Sequence, residues 1–565
     1  MRNPTARTWL LLVSAFASLE RIVFLASTWT DPVFRIPYLD GAFYHAWARS
    51  LAAGQGDFQG PYFLGPLYPY FLSLFYRVIA PDPGIARIAQ SLIGVVATAL
   101  VYSLAHRSFG VRAGVIAAAA CMLHGPMLFY ENLLLQESLW MALGLAAAWS
   151  VLVPQRRPLL QAVCAGLLIG TAALGRATAL AMLPVVFAVL RQQRGARIRP
   201  AVACLLACGV VIAPVVVRNA QQGAVAITTN GGINFYAGNG PGANGRFREP
   251  PGVAFFRNPV FTSPEVPPAL AARALRVDAI AGTNAAADSR AWTARTWQSI
   301  GQSPARFVEL MLRRAWLISQ AREIAQVENY SFHAQRLPLL RLLLVDFGWL
   351  WPFALLGWWS GWRSARSRTL AVAGFMVAAL FTCLVFFVTT RYRLAAVPFV
   401  AVLAGHGLSS GVGWVRSRAW SRVAAAGLIL LSAGVVTRLG AKPPRGSEGW
   451  DAAQMAERLY ATGDLEGAIR YQERAAAVLP ERLEVALNLA LYWSERGASG
   501  DLERAERTVR DLVRRAPDRA LLHFNLGVLL EQQGRLEEAR QSWAEALRLD
   551  PGFEPARSRL LKDNK

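Results

Sequence analysis

The most constraining feature of the chain is a series of long apolar segments that recur from residue 8 to residue 438 and then stop. A helix satisfies its own backbone hydrogen bonds, so a segment of about 17–25 apolar residues crosses a bilayer as a helix. The series therefore predicts an all-α, polytopic membrane protein with about 11 transmembrane helices. We assign them to residues 8–28, 85–106, 111–130, 138–153, 159–175, 178–190, 200–217, 338–359, 369–388, 394–412 and 421–438.

Arginine is concentrated in every second connection between these segments. Residues 1–7, 106–112, 154–158, 191–199, 361–368 and 413–422 together hold 16 Arg and no Asp or Glu. Because positive charge marks the cytoplasmic loops of membrane proteins, the N-terminus is predicted to lie inside. The first apolar segment has no clean cleavage pattern, so we interpret it as an uncleaved span. An odd number of spans then places the C-terminus outside, and we expect the chain in the cytoplasmic (inner) membrane of a bacterium.

Charge divides the chain into a basic part and a near-neutral part. Residues 449–565 hold 18 Lys+Arg and 20 Asp+Glu, which leaves 41 and 16 for residues 1–448. The basic residues lie in short loops and form no patch with interleaved aromatic residues, which argues against nucleic-acid binding. All five cysteines lie inside apolar segments, which argues against a disulfide framework or a zinc site.

Residues 449–565 contain a repeat with a period of about 34 residues. The last copy has tetratricopeptide spacing at Asn525, Gly527, Gly534, Ala539, Trp543, Ala546 and Pro551. Small residues at these positions let paired helices approach closely, and stacked repeats bury a shared core. We therefore predict a membrane domain over 1–437, a linker over 438–448, and a C-terminal α-solenoid of about three tetratricopeptide repeats over 449–565. Such arrays bind peptides or partner proteins.

Two long connections are predicted on the outer face, over residues 29–84 and 218–337. The segment Tyr62–Ala80 in the first is apolar enough to span the membrane, yet counting it would reverse every later loop. Its Pro and Tyr content predicts an interfacial helix instead. The second opens with a polar Gly/Asn-rich segment that includes Asn230 and Asn234. Amide groups of this kind bind sugars, and they occur equally in ordinary turns.

Asp40 follows the first apolar segment and is predicted to lie at a membrane–water boundary. A partly desolvated carboxylate there can act as a general base, whereas the alternative is an exposed loop aspartate. Tyr44 follows one helical turn later and His45 is its neighbour, so both are candidates for binding or orienting a substrate. For His45, a structural hydrogen-bonded histidine is an equally good interpretation.

Two glutamates lie between the third and fourth predicted spans, on the outer side. Glu137 begins a helix that re-enters the membrane, where a carboxylate needs a partner or a functional role. The alternative is that it favours the positive end of the helix dipole. Glu131 lies six residues earlier and is the second acidic candidate.

Three arginines on the outer side are candidates for binding an anion. Arg176 lies in the turn between the fifth and sixth spans, and Arg391 and Arg393 flank Tyr392 before the tenth span. The guanidinium fork suits phosphate. The bound phosphate is either that of ordinary phospholipid or that of a lipid-phosphate substrate, with Tyr392 placed to contact it.

Several stretches, taken together, resemble a known class of membrane enzyme. They are PYLDGAFYHAWARSLAAG, GPLYPYFLSLFYRV, HRSFGVRAG, YENLLLQES, LGRATAL, RNAQQGAVAITTNGGINFYAGN and RYRLAAVPF. The class is the GT-C glycosyltransferases that use polyprenyl-phosphate sugars. Within it, the chain is similar to protein O-mannosyltransferases, aminoarabinose transferases and bacterial homologues with C-terminal tetratricopeptide repeats. The resemblance covers residues 1 to about 410.

The resemblance implies that Asp40 is the general base on the outer face. An acceptor hydroxyl of a glycan, lipid or protein would attack the anomeric carbon and displace a lipid phosphate, usually with inversion. Arg391, Arg393 and Arg176 would stabilise that phosphate, and Glu137 would orient the acceptor or the base. O-mannosyltransferases have an acidic residue beside this aspartate, whereas the chain has Gly41, which disfavours a protein acceptor of that type. Metal dependence varies within the class, so a divalent metal stays an open expectation.

A competing hypothesis is a non-catalytic scaffold for envelope assembly that works through its tetratricopeptide repeats. A lipid transporter is a third alternative. It is disfavoured because the charged candidates cluster at one face, whereas transporters place their sites near the midplane of the membrane.

Overall fold

The computed structural model describes residues 5–57, 60–153, 157–192, 198–248, 285–440 and 446–562. It contains two compact units, Met1–Lys442 and Pro443–Lys565, which we call the membrane unit and the repeat unit. Within the described ranges every named element is a helix, which confirms the predicted all-α fold class.

Seven helices in the described ranges are long and apolar enough to cross a membrane, which confirms a polytopic membrane protein. They are Ala6–Ser27, Pro83–Phe109, Pro158–Gly175, Ile198–Gln221, Arg366–Val385, Thr390–Arg416 and Trp420–Arg438. Three shorter apolar helices accompany them, Val111–Met122, Glu137–Leu152 and Ala177–Arg191. The helix Trp420–Arg438 buries only 11% of its apolar window, so most of its surface is available to lipid.

Two predicted spans are interrupted, 111–130 and 338–359. The span 111–130 stops at Met122, and His124 caps a separate helix, Gly125–Glu131. The span 178–190 coincides with the apolar helix Ala177–Arg191, whose first part, Ala177–Met182, is a 3-10 helix.

The predicted span 338–359 is wrong in its first half. A short helix, Pro338–Leu342, ends before the long helix Phe347–Ser364 begins. The cause is Asp346, whose carboxylate accepts a hydrogen bond from the backbone N–H of Trp349 at 2.9 Å. A side chain that satisfies an orphan N–H in this way fixes the start of a helix.

The first outer connection forms the helices Pro32–Arg35, Asp40–Ala52 and Leu67–Val78. The last of these replaces the predicted interfacial segment with twelve helical residues. Tyr68 and Tyr76 bury one of its faces in the same core cluster as Phe43 and Trp47 of the helix Asp40–Ala52, while Leu74 and Val78 are exposed. The helix therefore buries an aromatic face in the protein and leaves apolar side chains exposed, where lipid can contact them.

The second outer connection and the segments that follow it supply a further layer of helices. They are Gly231–Asn239, Ala285–Gln302, Pro304–Ser319 and Tyr330–Arg336. Within the first, a Cβ at Gly232 would collide with the carbonyl of Ser289, and one at Gly238 with the carbonyl of Phe386. The absence of side chains at these two positions lets the helix Gly231–Asn239 pack between two other segments.

The repeat unit consists of three antiparallel helix pairs and a final helix. These are Ser447–Ala461 with Leu465–Val478, Leu483–Arg496 with Asp501–Arg515, Ala520–Gln532 with Leu536–Leu549, and Glu554–Lys562. Trp543 is fully buried against Gly527, where a Cβ would collide with the indole. The close approach of the paired helices follows from the small residues of the repeat.

Candidate active site

A cavity of about 170 Å³ opens in the membrane unit, and four parts of the chain supply most of its lining. These are the start of the helix Asp40–Ala52, the turn around Arg176, residues 228–234, and the segment from Thr382 to Tyr392. Each part contains one of the stretches on which the resemblance rests. The fold therefore brings together residues that are up to about 350 positions apart in the chain.

Asp40 is the first residue of its helix and faces this cavity. Leu39, directly before it, has φ +48°, a conformation that a branched residue adopts only at a cost. Gly41, directly after it, lies so close to the next segment that a Cβ would be 3.3 Å from the carbonyl oxygen of Leu134. A side chain at residue 41 would therefore need that segment to shift by a few tenths of an ångström.

Two arginines and two carboxylates form a continuous network at the cavity. Arg391 Nη1 donates to Asp40 Oδ2 at 2.7 Å, and Arg391 Nε donates to Glu137 Oε1 at 2.6 Å. Arg176 Nη2 donates to the same Glu137 oxygen at 2.8 Å. The Arg391 and Glu137 side chains are each 4% exposed, whereas Asp40 is 29% exposed. Asp40 is therefore the carboxylate of the network that solvent and a substrate reach most easily.

Arg391 is held in place by the turn on which it lies. Thr389 caps the short helix Thr390–Arg393 by accepting a hydrogen bond from the backbone of Tyr392. The hydroxyl of Thr390 accepts another from the backbone N–H of Ile324 at 2.7 Å. These bonds fix the backbone on both sides of Arg391, so its guanidinium is oriented before any ligand arrives.

Arg176 is positioned by aromatic rings and by close backbone contact. Its guanidinium lies 4.3 Å from the ring centre of Tyr392 and 5.2 Å from that of Trp140. A Cβ at Gly65 would collide with the carbonyl of Gly175, the residue directly before Arg176. The glycine thus lets the first outer connection support the turn that presents this cation.

Several buried polar atoms at the cavity have no hydrogen-bond partner among the described residues. They are Tyr44 Oη, Gln136 Oε1, Gln326 Oε1, Arg176 Nη1 and, just outside the lining, Glu137 Oε2. Burial and the nearby Asp40 carboxylate raise the pKa of Tyr44 above its usual range, so it remains a neutral hydroxyl. Buried polar groups are normally paired, so unpaired ones in a cavity mark positions where water or a ligand binds.

Asn230 and Asn234 also line the cavity, at the start of the helix Gly231–Asn239. Asn230 Oδ1 accepts a hydrogen bond from Thr228 Oγ1 at 3.0 Å. The whole segment is docked through Asn219, which is fully buried and bonds to the backbone of Tyr62, Ala226 and Ile227. The predicted polar segment of the second outer connection therefore forms part of the cavity wall.

Four of the residues predicted as site residues lie outside the cavity lining, and one of them, Glu137, still belongs to the network at the cavity; the other three do not. His45 Nδ1 bonds to Tyr76 Oη at 2.8 Å, and Glu131 makes a bidentate pair with Arg21. Arg393 donates to Glu323 Oε2 at 2.7 Å and to backbone carbonyls, on the far side of its turn from Arg391. The geometry gives the predicted substrate roles of these three no support, because each side chain is satisfied by other residues of the protein.

Sequence reasoning missed other residues of the lining. Gln136 directly precedes Glu137, and Thr178 follows Arg176 by two positions, so both lie in stretches already singled out. Thr178 Oγ1 lies 2.6 Å from Thr382 Oγ1, a pairing across 204 positions that no local pattern could reveal. Gln326 was missed because its segment has no distinctive composition.

The described ranges contain no group of three or more His, Cys, Asp or Glu side chains arranged to hold a metal ion. The carboxylates of the cavity network, Asp40 and Glu137, are both paired with arginine. Two guanidiniums with unsatisfied hydrogen-bond capacity suit an anion, since fork-shaped donors match phosphate oxygens. The metal dependence of the protein stays a prediction.

Comparisons with known proteins give a family match in each of the two parts of the chain. Residues 61–218 match the family model described as dolichyl-phosphate-mannose-protein mannosyltransferase, and residues 494–552 match a tetratricopeptide repeat model. A search of curated proteins finds no match. The family matches confirm the resemblance to membrane glycosyltransferases with C-terminal repeats that the sequence motifs indicated.

Among solved structures, the chain is similar to two lipid-phosphate complexes. The first is the archaeal oligosaccharyltransferase AglB from Archaeoglobus fulgidus with an inhibitory peptide and a dolichol-phosphate, at 16% identity and a TM-score of 0.42. That match covers 81% of the chain and 59% of the archaeal protein. The second is ArnT from Cupriavidus metallidurans bound to undecaprenyl phosphate, at 15% identity and a TM-score of 0.44, covering 98% of the chain and 79% of ArnT.

Proposed function

We propose that the protein is a membrane glycosyltransferase that moves a sugar from a polyprenyl-phosphate-linked donor to a hydroxyl acceptor, with Asp40 as the general base. The observation that carries the proposal is the 2.7 Å contact between Asp40 and Arg391 at one cavity. It places a proton acceptor beside a phosphate-binding cation. Substitution at an anomeric carbon with a phosphate leaving group needs these two groups together.

The donor is assigned from the cations and from the family match. Arg391 and Arg176 provide two guanidiniums, joined by Glu137 and fixed by the surrounding turns. Such preorganised forks bind the oxygens of a phosphate and stabilise the charge that develops on it. Residues 61–218 match a family described by its dolichyl-phosphate-linked sugar donor, which supports a lipid-linked phosphate here as well.

The reaction proceeds in one displacement. The acceptor hydroxyl gives its proton to an Asp40 oxygen while its own oxygen forms a bond to the anomeric carbon. The bond from that carbon to the phosphate oxygen breaks, and the electron pair leaves with the polyprenyl phosphate, where Arg391 and Arg176 stabilise it. Attack opposite the leaving group inverts the anomeric configuration. The proton leaves Asp40 through the partly exposed mouth of the cavity.

The sidedness of the protein belongs to the same proposal. The arginine-rich loops lie in the cytoplasm, so Asp40 and its cavity face the outer side of a bacterial cytoplasmic membrane. The acceptor is then a glycan, lipid or protein of the cell envelope. The repeat unit lies on the same side, where it binds a protein partner.

A non-catalytic scaffold is the second candidate function. It is favoured by the compact repeat unit, Pro443–Lys565, and by its match to a repeat family whose arrays bind proteins. On this hypothesis the repeats carry the whole function and Asp40 is dispensable.

The test uses the full chain reconstituted in vesicles with a panel of radiolabelled undecaprenyl-phosphate sugars and envelope fractions as acceptors. Asp40→Asn and Arg391→Ala should each lower transfer by about 10²–10⁴-fold, the usual contribution of a general base or an electrostatic stabiliser. Asp82→Asn is the matched control, because Asp82 caps the helix Pro83–Phe109 and asparagine caps equally well. If both site variants transfer sugar at the wild-type rate, the proposal is wrong.

A further inference from the structure

Gln136 is a buried uncharged polar side chain of the cavity wall that sequence reasoning missed. It is 5% exposed and is the residue directly before the helix Glu137–Leu152. Its side chain makes no cap bond to that helix, and its Oε1 atom has no hydrogen-bond partner among the described residues. A buried amide oxygen left unpaired destabilises a folded protein unless water or a ligand binds it, and Gln136 lines the cavity where a ligand can reach it.

The position of Gln136 relates it to the proposed phosphate site. It adjoins Glu137, the carboxylate that holds both Arg391 and Arg176. Its Oε1 atom would lie 2.8 Å from a Cβ at Gly175, the residue directly before Arg176. Gln136 is thus next in the chain to Glu137, which bonds to both Arg391 and Arg176, and its amide oxygen lies against Gly175, the residue before Arg176.

A neutral amide suits a different part of the donor from the one that the arginines bind. In a glycosyl phosphate the anomeric carbon is bonded to a phosphate oxygen, so the hydroxyl on the neighbouring ring carbon lies only a few bonds from the oxygens that the cations contact. An amide offers both a donor and an acceptor, and a hydroxyl can pair with either. The lipid tail has no hydroxyl that would need such a partner.

We infer that Gln136 binds a ring hydroxyl of the donor sugar and thereby contributes to the choice of sugar. The inference rests on the proposed function, since it needs a sugar beside the lipid phosphate. A site built to hydrogen-bond a hydroxyl rejects analogues that lack it, because the buried amide is then left unpaired. Two other lining side chains have a buried oxygen without a partner among the described residues, Tyr44 and Gln326. Tyr44 lies one helical turn after Asp40, on the side of the base, and Gln326 adjoins neither Glu137 nor Arg176 in the chain.

The test compares two kinds of lipid on the purified full chain. The probes are bare undecaprenyl phosphate and undecaprenyl-phosphate glucose, mannose and N-acetylglucosamine, with binding measured by ligand-dependent thermal shift. In the wild type, at least one sugar lipid should bind more tightly than the bare lipid. Gln136→Leu should weaken that sugar lipid about tenfold, the equivalent of about 1.4 kcal/mol, and change the bare lipid less than twofold.

Two further measurements separate a binding role from a structural one. Without lipid, Gln136→Leu and Gln136→Met should unfold at the wild-type temperature or above it, because each removes an unpaired buried oxygen. Gln161→Leu is the matched control. Gln161 is also buried and its Oε1 is likewise without a partner among the described residues, but it lies outside the cavity lining and its Nε2 donates to the carbonyls of Ser150 and Val153. Its loss should therefore lower the unfolding temperature and leave the ratio of the two lipid affinities unchanged.

The outcomes distinguish this inference from the proposed function. Equal weakening of both lipids in Gln136→Leu and Gln136→Met, or no weakening of either, would overturn the inference while leaving the lipid-phosphate donor intact. The same holds if no sugar lipid binds the wild type more tightly than the bare lipid. If undecaprenyl phosphate itself does not bind the wild type, the proposed function fails and the inference fails with it. Deoxy analogues of the preferred donor then identify the hydroxyl, since one of them should bind wild type and Gln136→Leu equally.

Discussion

Asp40 Oδ2 accepts a hydrogen bond from Arg391 Nη1 at 2.7 Å, so the proposed base is paired with the proposed phosphate-binding cation. Arg391 also donates to Glu137 and therefore shares one positive charge between two carboxylates. On the proposed mechanism, a donor phosphate that binds Arg391 would leave Asp40 free to accept a proton. Binding of the donor would then be coupled to activation of the base through this pair, and we expect the donor to bind before the acceptor.

The first prediction follows from competition between Asp40 and the phosphate. Asp40→Asn removes a negative charge beside Arg391, so undecaprenyl phosphate should bind several-fold more tightly while transfer is lost. Binding is measured by thermal shift and transfer with the radiolabelled donor. Asp82→Asn, on the same outer connection, should change neither quantity. Weaker lipid binding in Asp40→Asn would contradict the proposed competition.

The second prediction separates two arginines that are two positions apart. Arg391→Ala should abolish lipid-phosphate binding, because it removes a cation from the cavity. Arg393→Ala should instead lower the free energy of unfolding by about 3–5 kcal/mol, because it leaves the buried Glu323 carboxylate without its partner. Denaturation and lipid binding are measured on both variants. If Arg393→Ala unfolds normally but fails to bind lipid, the assignment of the two arginines is reversed.

Several features of the site could be predicted from the sequence. Asp40, Arg176 and Arg391 stand out because charged residues are rare near apolar segments, and the alternating arginine loops group them on one face. The helix pairs of the repeat unit could also be predicted, since the small residues of this unit recur at a fixed period. In each case the residues that determine the structure form a pattern within one short stretch of sequence.

Other features depend on contacts between distant segments and leave no local pattern. Arg391 and Arg393 share the same sequence surroundings, so the sequence does not distinguish them. In the fold, Arg393 donates to Glu323, whereas Arg391 donates to Asp40. Glu131 resembles Glu137 in the sequence, yet it pairs with Arg21, 110 positions away. Gln136 is uncharged, so no rule about charge near a membrane could select it.

The third prediction concerns the close contact that supports Arg176. A Cβ at Gly65 would collide with the carbonyl of Gly175, so Gly65→Ala should displace the turn and weaken binding of undecaprenyl phosphate about tenfold or more. Gly209→Ala is the control. Gly209 lies inside the helix Ile198–Gln221 with no atom within 4 Å of its Cβ position, so alanine should be neutral or stabilising there. Normal lipid binding in Gly65→Ala would show that this contact does not position Arg176.

The fourth prediction is a pH dependence of stability at His45. Burial, with a smaller effect of Arg49, lowers the pKa of His45 to about 4 from its ordinary value of 6.5. Between these two values the unfolded chain binds a proton that the folded chain does not, so stability is lost as the pH falls from 6.5 to 4. The loss amounts to roughly 3 kcal/mol at about 1.36 kcal/mol per pKa unit.

His45→Gln should therefore flatten the fall in unfolding temperature between pH 7 and pH 4.5, measured on purified protein in detergent. Glutamine keeps an acceptor for the hydroxyl of Tyr76, which lies 2.8 Å from His45 Nδ1. Tyr76→Phe is the matched control, because it removes the hydrogen bond and leaves His45 buried. It should keep the pH dependence of the wild type. A wild-type slope in His45→Gln would assign the pH dependence to other groups.

The fifth prediction separates the enzyme from the scaffold without removing any part of the chain. Gly527→Leu places a side chain where the buried indole of Trp543 lies, so it should destabilise the third repeat by at least about 1–3 kcal/mol. Leu521→Gln is the control, since Leu521 is 50% exposed on the same helix pair. For an enzyme, transfer to a small soluble acceptor in vesicles should stay within about twofold of wild type in both variants, because the reacting groups lie in the membrane unit. A loss of transfer in Gly527→Leu as large as that in Asp40→Asn would instead make the repeat unit part of the catalytic machinery.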